Sequence, residues 1–235
     1  MPEGLMDKKG STPIRKKALI ISIWAIAFAF VEASVVEYLR AIYYPLSSGG
    51  FQFPVLTLEF IQRMGLEHTQ RLKIEVVREL CTLIMLVAVG MIAARNRREA
   101  WAYFMIAFGV WDIFYYVWLK IFLDWPAGMM TWDLLFLFPV PWVAPVLAPV
   151  IISIALIVSG LTVLFFEGKN EPLTLQWRDW ILLVTGGIIV IISFCWDHQN
   201  IMAGRFPEHF QWVVLLFGLA MSSTTFSVAV LKRLL

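Results

Sequence analysis

Long apolar stretches alternate with short polar connections along the whole chain. Crossing the hydrocarbon core of a membrane takes a helix of about 20 residues. About six segments reach this length, at roughly residues 17–40, 72–94, 99–121, 142–166, 179–196 and 210–231. The connections are too short to hold a separate soluble domain. The pattern therefore predicts an all-α integral membrane protein, a bundle of about six transmembrane helices that forms a single polytopic domain over residues 1–235.

The connection between the third and fourth predicted spans is unusually apolar and rich in proline. Its segment TWDLLFLF is too short to cross a membrane, which predicts an interfacial or re-entrant segment. Pro141, Pro145 and Pro149 then recur at every fourth residue, so we expect them on one stripe of the fourth helix. A kinked helix packed against its neighbours is the simplest interpretation, because proline leaves a carbonyl one turn earlier without its donor.

Composition supports a membrane environment. Hydrophobic residues make up 60% of the chain and the mean hydropathy is +0.77, well outside the range of soluble globular proteins. The formal net charge is only +2. We therefore expect a lipid bilayer around the protein and no nucleic-acid partner.

Cationic residues concentrate in alternate connections. They precede the first span, fill the second and fourth connections and follow the last span, at Lys8, Lys9, Arg15, Lys16, Lys17, Arg95, Arg97, Arg98, Lys169, Arg178, Lys232 and Arg233. With six spans these positions share one side of the membrane, and the positive-inside rule assigns that side to the cytoplasm. Both termini are predicted to be cytoplasmic, in a plasma (inner) membrane of the bacterial type.

Charged residues inside the spans provide the candidate chemistry. An α-helix rises about 1.5 Å per residue, which places four charged residues about 20–24 Å from the cytoplasmic ends of their helices. They are Glu32, Arg78, Glu79 and Asp112. Against a core about 30 Å thick, this depth defines one polar layer in the outer half. Residues 82–94 and 154–166 contain no charge. The layer is thus predicted to open outward, as a cavity rather than a continuous path.

Local spacing indicates which of these residues share a face. Glu75, Arg78 and Glu79 stand at i, i+3 and i+4. A buried carboxylate at position 112 needs a cation or a donor from a neighbouring helix, and Arg78 is the partner we expect for Asp112. The layer holds more acids than bases, so the surplus acids must take up protons or bind a cation. A structural ion-pair network that binds nothing is the alternative.

Tyrosines and the carboxylates together form the predicted ligand-binding set. Tyr115 and Tyr116 follow Asp112 by one helical turn and can donate hydrogen bonds on the same face. The complete set is Glu32, Glu75, Arg78, Glu79, Asp112, Tyr115 and Tyr116.

Metal and cofactor signals are weak. Asp197, His198 and His209, with Glu208, could form a metal site at the outer mouth, although a polar loop is the ordinary interpretation. The sequence lacks a Gly-rich phosphate loop, a CxxC motif, a nucleophile elbow and a pair of haem-ligating histidines within the spans. It identifies no cofactor.

One further pattern concerns helix packing, and another concerns internal repetition. Gly218, Ser222 and Thr225 share a face of the last span, and small residues at this spacing allow close helix approach. The dipeptide Trp-Asp occurs at 111–112, 132–133 and 196–197. In a chain with 11 tryptophans this recurrence does not establish an internal repeat.

Three functions fit these residues. The first is an outward-open acidic cavity that binds a cation, a small cationic solute or a lipid headgroup. The second is a membrane-embedded enzyme that acts on a lipid or isoprenoid at the outer leaflet, with a carboxyl group as general acid or base. The third is a non-catalytic subunit of a larger membrane complex.

Overall fold

The computed structural model describes residues 13–43, 65–202, 207 and 209–235. In chain order these form α1 (Ile14–Tyr43), α2 (Gly65–Ala93), α3 (Arg97–Leu123), β1 (Trp132–Phe136), β2 (Trp142–Pro145), α4 (Leu147–Gly168), α5 (Trp177–Cys195), α6 (His198–Met202) and α7 (Trp212–Leu234). Within the described part, six helices are long and apolar enough to cross a membrane, namely all except the short α6. The prediction of a bundle of six apolar helices is confirmed.

Helix α3 lies at the centre of the bundle. Helices α1, α2 and α4 all pack against it, and α5 packs against α7 along a second interface. Gly109 shows how closely α3 approaches α4: a Cβ atom there would lie 2.6 Å from the carbonyl oxygen of Ser153. This close approach brings even short side chains of α4 within reach of α3.

The contact between α5 and α7 also depends on small residues. A Cβ atom on Gly218 would lie 2.7 Å from the carbonyl oxygen of Gly186, so the two backbones touch. Ser222 Oγ donates to the carbonyl of Leu183 across the same interface, at 3.4 Å. The prediction that the small residues of the last span serve helix packing is confirmed for Gly218 and Ser222.

The connection after α3 forms an antiparallel β-hairpin, which the sequence pattern did not predict. Strand β1 pairs with β2 in a register that places Trp132 opposite Pro145 and Asp133 opposite Ala144. Strand β2 contacts α4 and α5. The hairpin therefore joins the two helical groups.

The fourth helix begins later than the predicted residue 142. It starts at Leu147, so Pro141 and Pro145 lie in the hairpin and only Pro149 lies in the first turn of α4. The predicted proline stripe on this helix is wrong. Proline is favoured in the first helical turn and is tolerated at the edge of a small sheet, where no ladder donor is lost.

The basic connections meet at one end of the bundle. Lys17 Nζ donates to the carbonyl of Ala93 at 2.8 Å, and Asn96 Nδ2 donates to Glu167 Oε2 at 2.9 Å. These bonds join the start of α1, the α2–α3 connection and the end of α4. Lys8 and Lys9 lie outside the described residues. We call this the basic end and the opposite end the outer end.

Candidate functional site

Arg78 of α2 is the centre of an ion-pair group. Its Nε and Nη2 atoms donate to the two carboxylate oxygens of Glu75, at 2.9 and 2.5 Å. The third contact, from Nη1, reaches Glu32 on α1, and Thr82 Oγ1 lies 3.4 Å from that same carboxylate. Arg78 thus pairs with two carboxylates of the predicted layer, and its ion pair with Glu32 joins α1 to α2.

Glu79 is held by the β-hairpin. The backbone N–H of Leu137, in the hairpin tip, donates to Glu79 Oε2 at 2.8 Å. The side chain is buried, at 7% relative exposure. A backbone N–H that donates to a carboxylate favours its charged form, which offsets part of the cost of burial. The hairpin tip is thereby fixed over the outer part of α2.

Asp112 has a different partner from the one that its depth suggested. Ser153 Oγ on α4 donates to Asp112 Oδ2 at 2.8 Å, whereas Arg78 is engaged with Glu75 and Glu32. The predicted Arg78–Asp112 pair is wrong. Asp112 lies on the face of α3 that packs closely on α4 at Gly109, and this face differs from the one that meets α2.

Asp133 of β1 completes the buried polar group around Asp112, and sequence reasoning missed it. It is 5% exposed, and its charge interacts with that of Asp112. The segment around it was interpreted as an apolar interfacial piece. The recurrence of Trp-Asp at 111–112 and 132–133 was the available signal, because the charges of these two buried aspartates interact in the structure.

Tyr116 lies beside both aspartates. Its side chain is buried, and its hydroxyl interacts with Asp133 and Asp112. Tyr115 is only partly buried and packs edge-to-face on Tyr116, with 5.0 Å between ring centroids. The layer therefore consists of two neighbouring groups, which we call the arginine group (Glu32, Glu75, Arg78, with Glu79 beside it) and the aspartate group (Asp112, Asp133, Tyr116, Ser153).

A second buried carboxylate cluster lies at the basic end, where none was predicted. Glu99 is fully buried and accepts hydrogen bonds from the backbone N–H, Nε and Nη2 of Arg95, at 2.8, 2.9 and 2.5 Å. Asn96 caps α3 by accepting from the N–H of Glu99. The signature Asn-x-x-Glu at 96–99 was the available signal, since a cap residue followed by Glu is typical of helix starts. Bonding to Glu99 raises the pKa of Arg95.

Lys120 lies in the last turn of α3, beyond the polar layer. Its Nζ atom lies 2.6 Å from Asp124 Oδ1. This hydrogen bond lowers the pKa of Asp124, an exposed residue. Asp124 adopts a left-handed conformation, with φ of 51°, which Asp and Asn tolerate better than other residues.

The weak metal candidates are not assembled into a site among the described residues. His198 Nδ1 bonds the carbonyl of Cys195 at 2.8 Å, and Asp197 Oδ1 accepts from Asn200 Nδ2 at 3.2 Å. His209 is exposed, and Glu208 lies outside the described residues. In the described ranges no three His, Cys, Asp or Glu side chains form a group that could hold a metal ion.

A shallow groove of about 300 Å³ follows α2 beyond the arginine group. It is lined by Leu83, Ile84, Val87, Ala88 and Met91. These side chains are apolar, and none of the candidate carboxylates lines the groove. Its chemistry suits an acyl chain of the surrounding lipid rather than a charged ligand.

Comparison with known proteins gives no family to which the chain can be assigned. It matches no known protein family, no curated protein sequence and no solved structure.

Proposed function

We propose that this multi-pass membrane protein binds a positively charged ligand in the polar layer near its outer end. The ligand is an inorganic cation, a small cationic solute or the headgroup of a lipid. The observation that carries the proposal is the imbalance of charge in the layer. Among the residues that the structure describes there, Arg78 is opposed by Glu32, Glu75, Glu79 and Asp112.

The partners of these carboxylates leave negative charge uncompensated. The guanidinium of Arg78 carries one positive charge for both Glu32 and Glu75. Glu79 and Asp112 are bound by neutral donors, a backbone N–H and a hydroxyl. Ionised carboxylates away from water cost several kcal/mol each unless a positive charge accompanies them. A bound cation supplies that charge.

The basic end supports the orientation that we propose for the site. Cationic residues in the described α2–α3 and α4–α5 connections gather there, and the positive-inside rule favours the cytoplasm for them. Both termini are then cytoplasmic and the polar layer faces outward, in a plasma membrane of the bacterial type. A positively charged ligand would reach the layer from outside the cell.

One observation favours a second candidate, an enzyme that acts on a lipid or isoprenoid at the outer leaflet. The buried Asp112 accepts a hydrogen bond from Ser153 Oγ and interacts electrostatically with Asp133 and Tyr116, which are also buried. Adjacent carboxyl groups in a buried site can hold and release a proton, which is the property that a general acid or base requires.

A thermal-stability screen of purified protein tests the binding proposal. Metal chlorides, amines and lipids are added to the parent protein and to Asp112→Asn, which keeps the shape of the side chain and removes its charge. A ligand at 100 times its Kd stabilises the folded state by about 2.7 kcal/mol. We expect at least one of these cations to raise the Tm of the parent and to have no effect on Asp112→Asn.

Asp124→Asn is the matched control. It makes the same substitution at an exposed aspartate outside the layer, where the left-handed backbone tolerates Asn. The control should respond like the parent. If the screen stabilises neither protein and Asp112→Asn supports normal function in cells, the proposal fails and the role of a non-catalytic subunit replaces it. Turnover of a lipid that depends on Asp112 would favour the enzyme.

A further inference from the structure

Three chain segments bring their cations together at the basic end. Lys17 at the start of α1 bonds the carbonyl of Ala93 at the end of α2. A Cβ atom on Gly168 would lie 3.7 Å from Ile14 Cδ1, so the end of α4 adjoins the start of α1. The bond from Asn96 ties the α2–α3 connection to the last turn of α4. The cations that these segments carry form what we call the basic platform: Arg15, Lys16, Lys17, Arg95, Arg97, Arg98 and Lys169.

The described carboxylates near the platform are buried or lie elsewhere. Glu99 is fully buried and Glu167 is 9% exposed. Arg95 pairs with the first and Arg98 with the second. Glu171, the next acid along the chain, lies beside the last turn of α7. The platform therefore presents mainly positive charge to its surroundings.

The buried carboxylates hold two guanidinium groups without covering them. The side chains of Arg95 and Arg98 stay 49% and 53% exposed although each meets a carboxylate. Arg95 donates to Glu99 from Nε and Nη2, and its Nη1 makes no hydrogen bond with a described residue. The positive-inside rule depends on the number of cations in a connection and not on a fixed position for each. Exposed guanidinium donors held in place are what the recognition of a phosphate requires.

Three other cations of the platform have no protein partner. Arg15, Lys16 and Arg97 are exposed, and their side chains form no ion pair or hydrogen bond with the described residues. Their charge is thus available to a ligand, and removing it breaks no described contact.

The platform lies at the level of lipid headgroups. Arg97 and Arg98 are in the first turn of α3, one of the helices long and apolar enough to cross a membrane. Only residues 94–96 join α2 to α3, and three residues span at most about 11 Å. Trp101, one turn further along α3, is 57% exposed, and tryptophan is enriched where headgroups meet the hydrocarbon core. The anionic groups nearest to the platform are therefore lipid phosphates.

We propose that the basic platform binds the phosphate of an anionic phospholipid in the leaflet at the basic end. Arg95 and Arg98 provide the positioned donors, and the cations without protein partners provide uncompensated charge. This inference goes beyond the proposed function, because it concerns the opposite end of the bundle and a ligand of opposite charge. In the orientation proposed above, this leaflet is the cytoplasmic one.

Lipid retention measured by mass spectrometry tests the assignment. Full-length protein in a nonionic detergent is equilibrated with equal amounts of phosphatidylglycerol and phosphatidylcholine that carry the same acyl chains, and the lipids that stay bound are counted. We expect the parent to retain phosphatidylglycerol in preference. In the triple variant Arg15→Gln/Lys16→Gln/Arg97→Gln this preference should fall by about fivefold for each cation removed.

A second triple variant, Lys73→Gln/Arg178→Gln/Lys232→Gln, is the matched control. It removes the same charge from exposed positions outside the platform, so it should keep the preference of the parent. Equal losses in the two triple variants would show an effect of net charge alone and would overturn the assignment. A parent that retains both lipids equally would also overturn it.

Soluble glycerophosphoglycerol separates a lipid from a free phosphate compound, because it carries the same phosphate without acyl chains. At the concentration of the lipid it should not displace phosphatidylglycerol from the parent; displacement would assign the platform to a soluble ligand and contradict the proposal. If the platform variant does not fold, Arg97→Gln alone should lower the preference by about fivefold. An unchanged preference in that single variant would count against the assignment.

Discussion

Replacing Arg78 with leucine removes the guanidinium that bridges α1 and α2. The substitution deletes two hydrogen bonds to Glu75 and one to Glu32. The side chain of Arg78 is 23% exposed, and those of Glu32 and Glu75 are 11% and 20% exposed. Removing one partner of a buried pair costs about 3–5 kcal/mol, because the other charge stays buried without compensation. Since all three side chains keep some exposure, we expect the lower limit, about 3 kcal/mol.

The free energy of unfolding is measured on protein in mixed micelles by titration with SDS, followed by the fluorescence of the 11 tryptophans. Three companion variants make the result specific: Glu75→Gln, Glu32→Gln and the double variant Arg78→Leu/Glu32→Gln. Glu75→Gln leaves Arg78 paired with Glu32, so its cost should be closer to 1 kcal/mol. Combining Arg78→Leu with Glu32→Gln removes one of the stranded charges. The double variant should therefore be less destabilised than the sum of the two single variants.

Two outcomes would refute this reasoning. If Arg78→Leu lowers the free energy of unfolding by less than about 1 kcal/mol, the ion pair contributes no more than an exposed surface pair does. Strict additivity of the Arg78 and Glu32 substitutions would show that the two side chains do not interact in the folded protein. In either case the charge imbalance that supports the proposed function would need a different explanation.

Two further predictions concern orientation and packing. In a variant without native cysteines, a membrane-impermeant maleimide added outside cells should label single cysteines placed near Gly50 and Gly204 but not near Asn96, and the reverse pattern would contradict the outward-facing site. Gly218→Ala should cost about 1–3 kcal/mol, because its Cβ atom would meet a backbone oxygen of α5 at 2.7 Å. Gly187→Ala, whose Cβ atom meets nothing within 4 Å, should be neutral or slightly stabilising; equal effects of the two substitutions on unfolding would argue against close packing there.

Hydropathy and local spacing determined most of the helical architecture. A membrane helix must bury its backbone hydrogen bonds within one continuous apolar segment, so length and composition alone locate such helices. The contact between Glu75 and Arg78 could likewise be predicted from the sequence, because the two residues stand at i and i+3 in one helix and helical geometry fixes their separation. The basic connections lie at one end of the bundle because successive spans run in opposite directions, so alternate connections share an end.

The partner of Asp112 could not be read from the sequence. Rise per residue gives the depth of a side chain, but only the packing of helices gives the neighbour that it faces. Arg78 and Asp112 have similar depths and point to different helices. The contact at Gly109 brought Ser153 to the carboxylate instead.

The hairpin was decided entirely by tertiary structure. Pro141, Pro145 and Pro149 recur at a helical interval, yet only Pro149 is in a helix. Strands β1 and β2 satisfy their backbone hydrogen bonds by pairing with each other, and β2 also packs on α4 and α5. Strand pairing requires a second segment as partner, so a short apolar segment by itself does not reveal it. That pairing also positions the buried Asp133, whose charge interacts with Asp112.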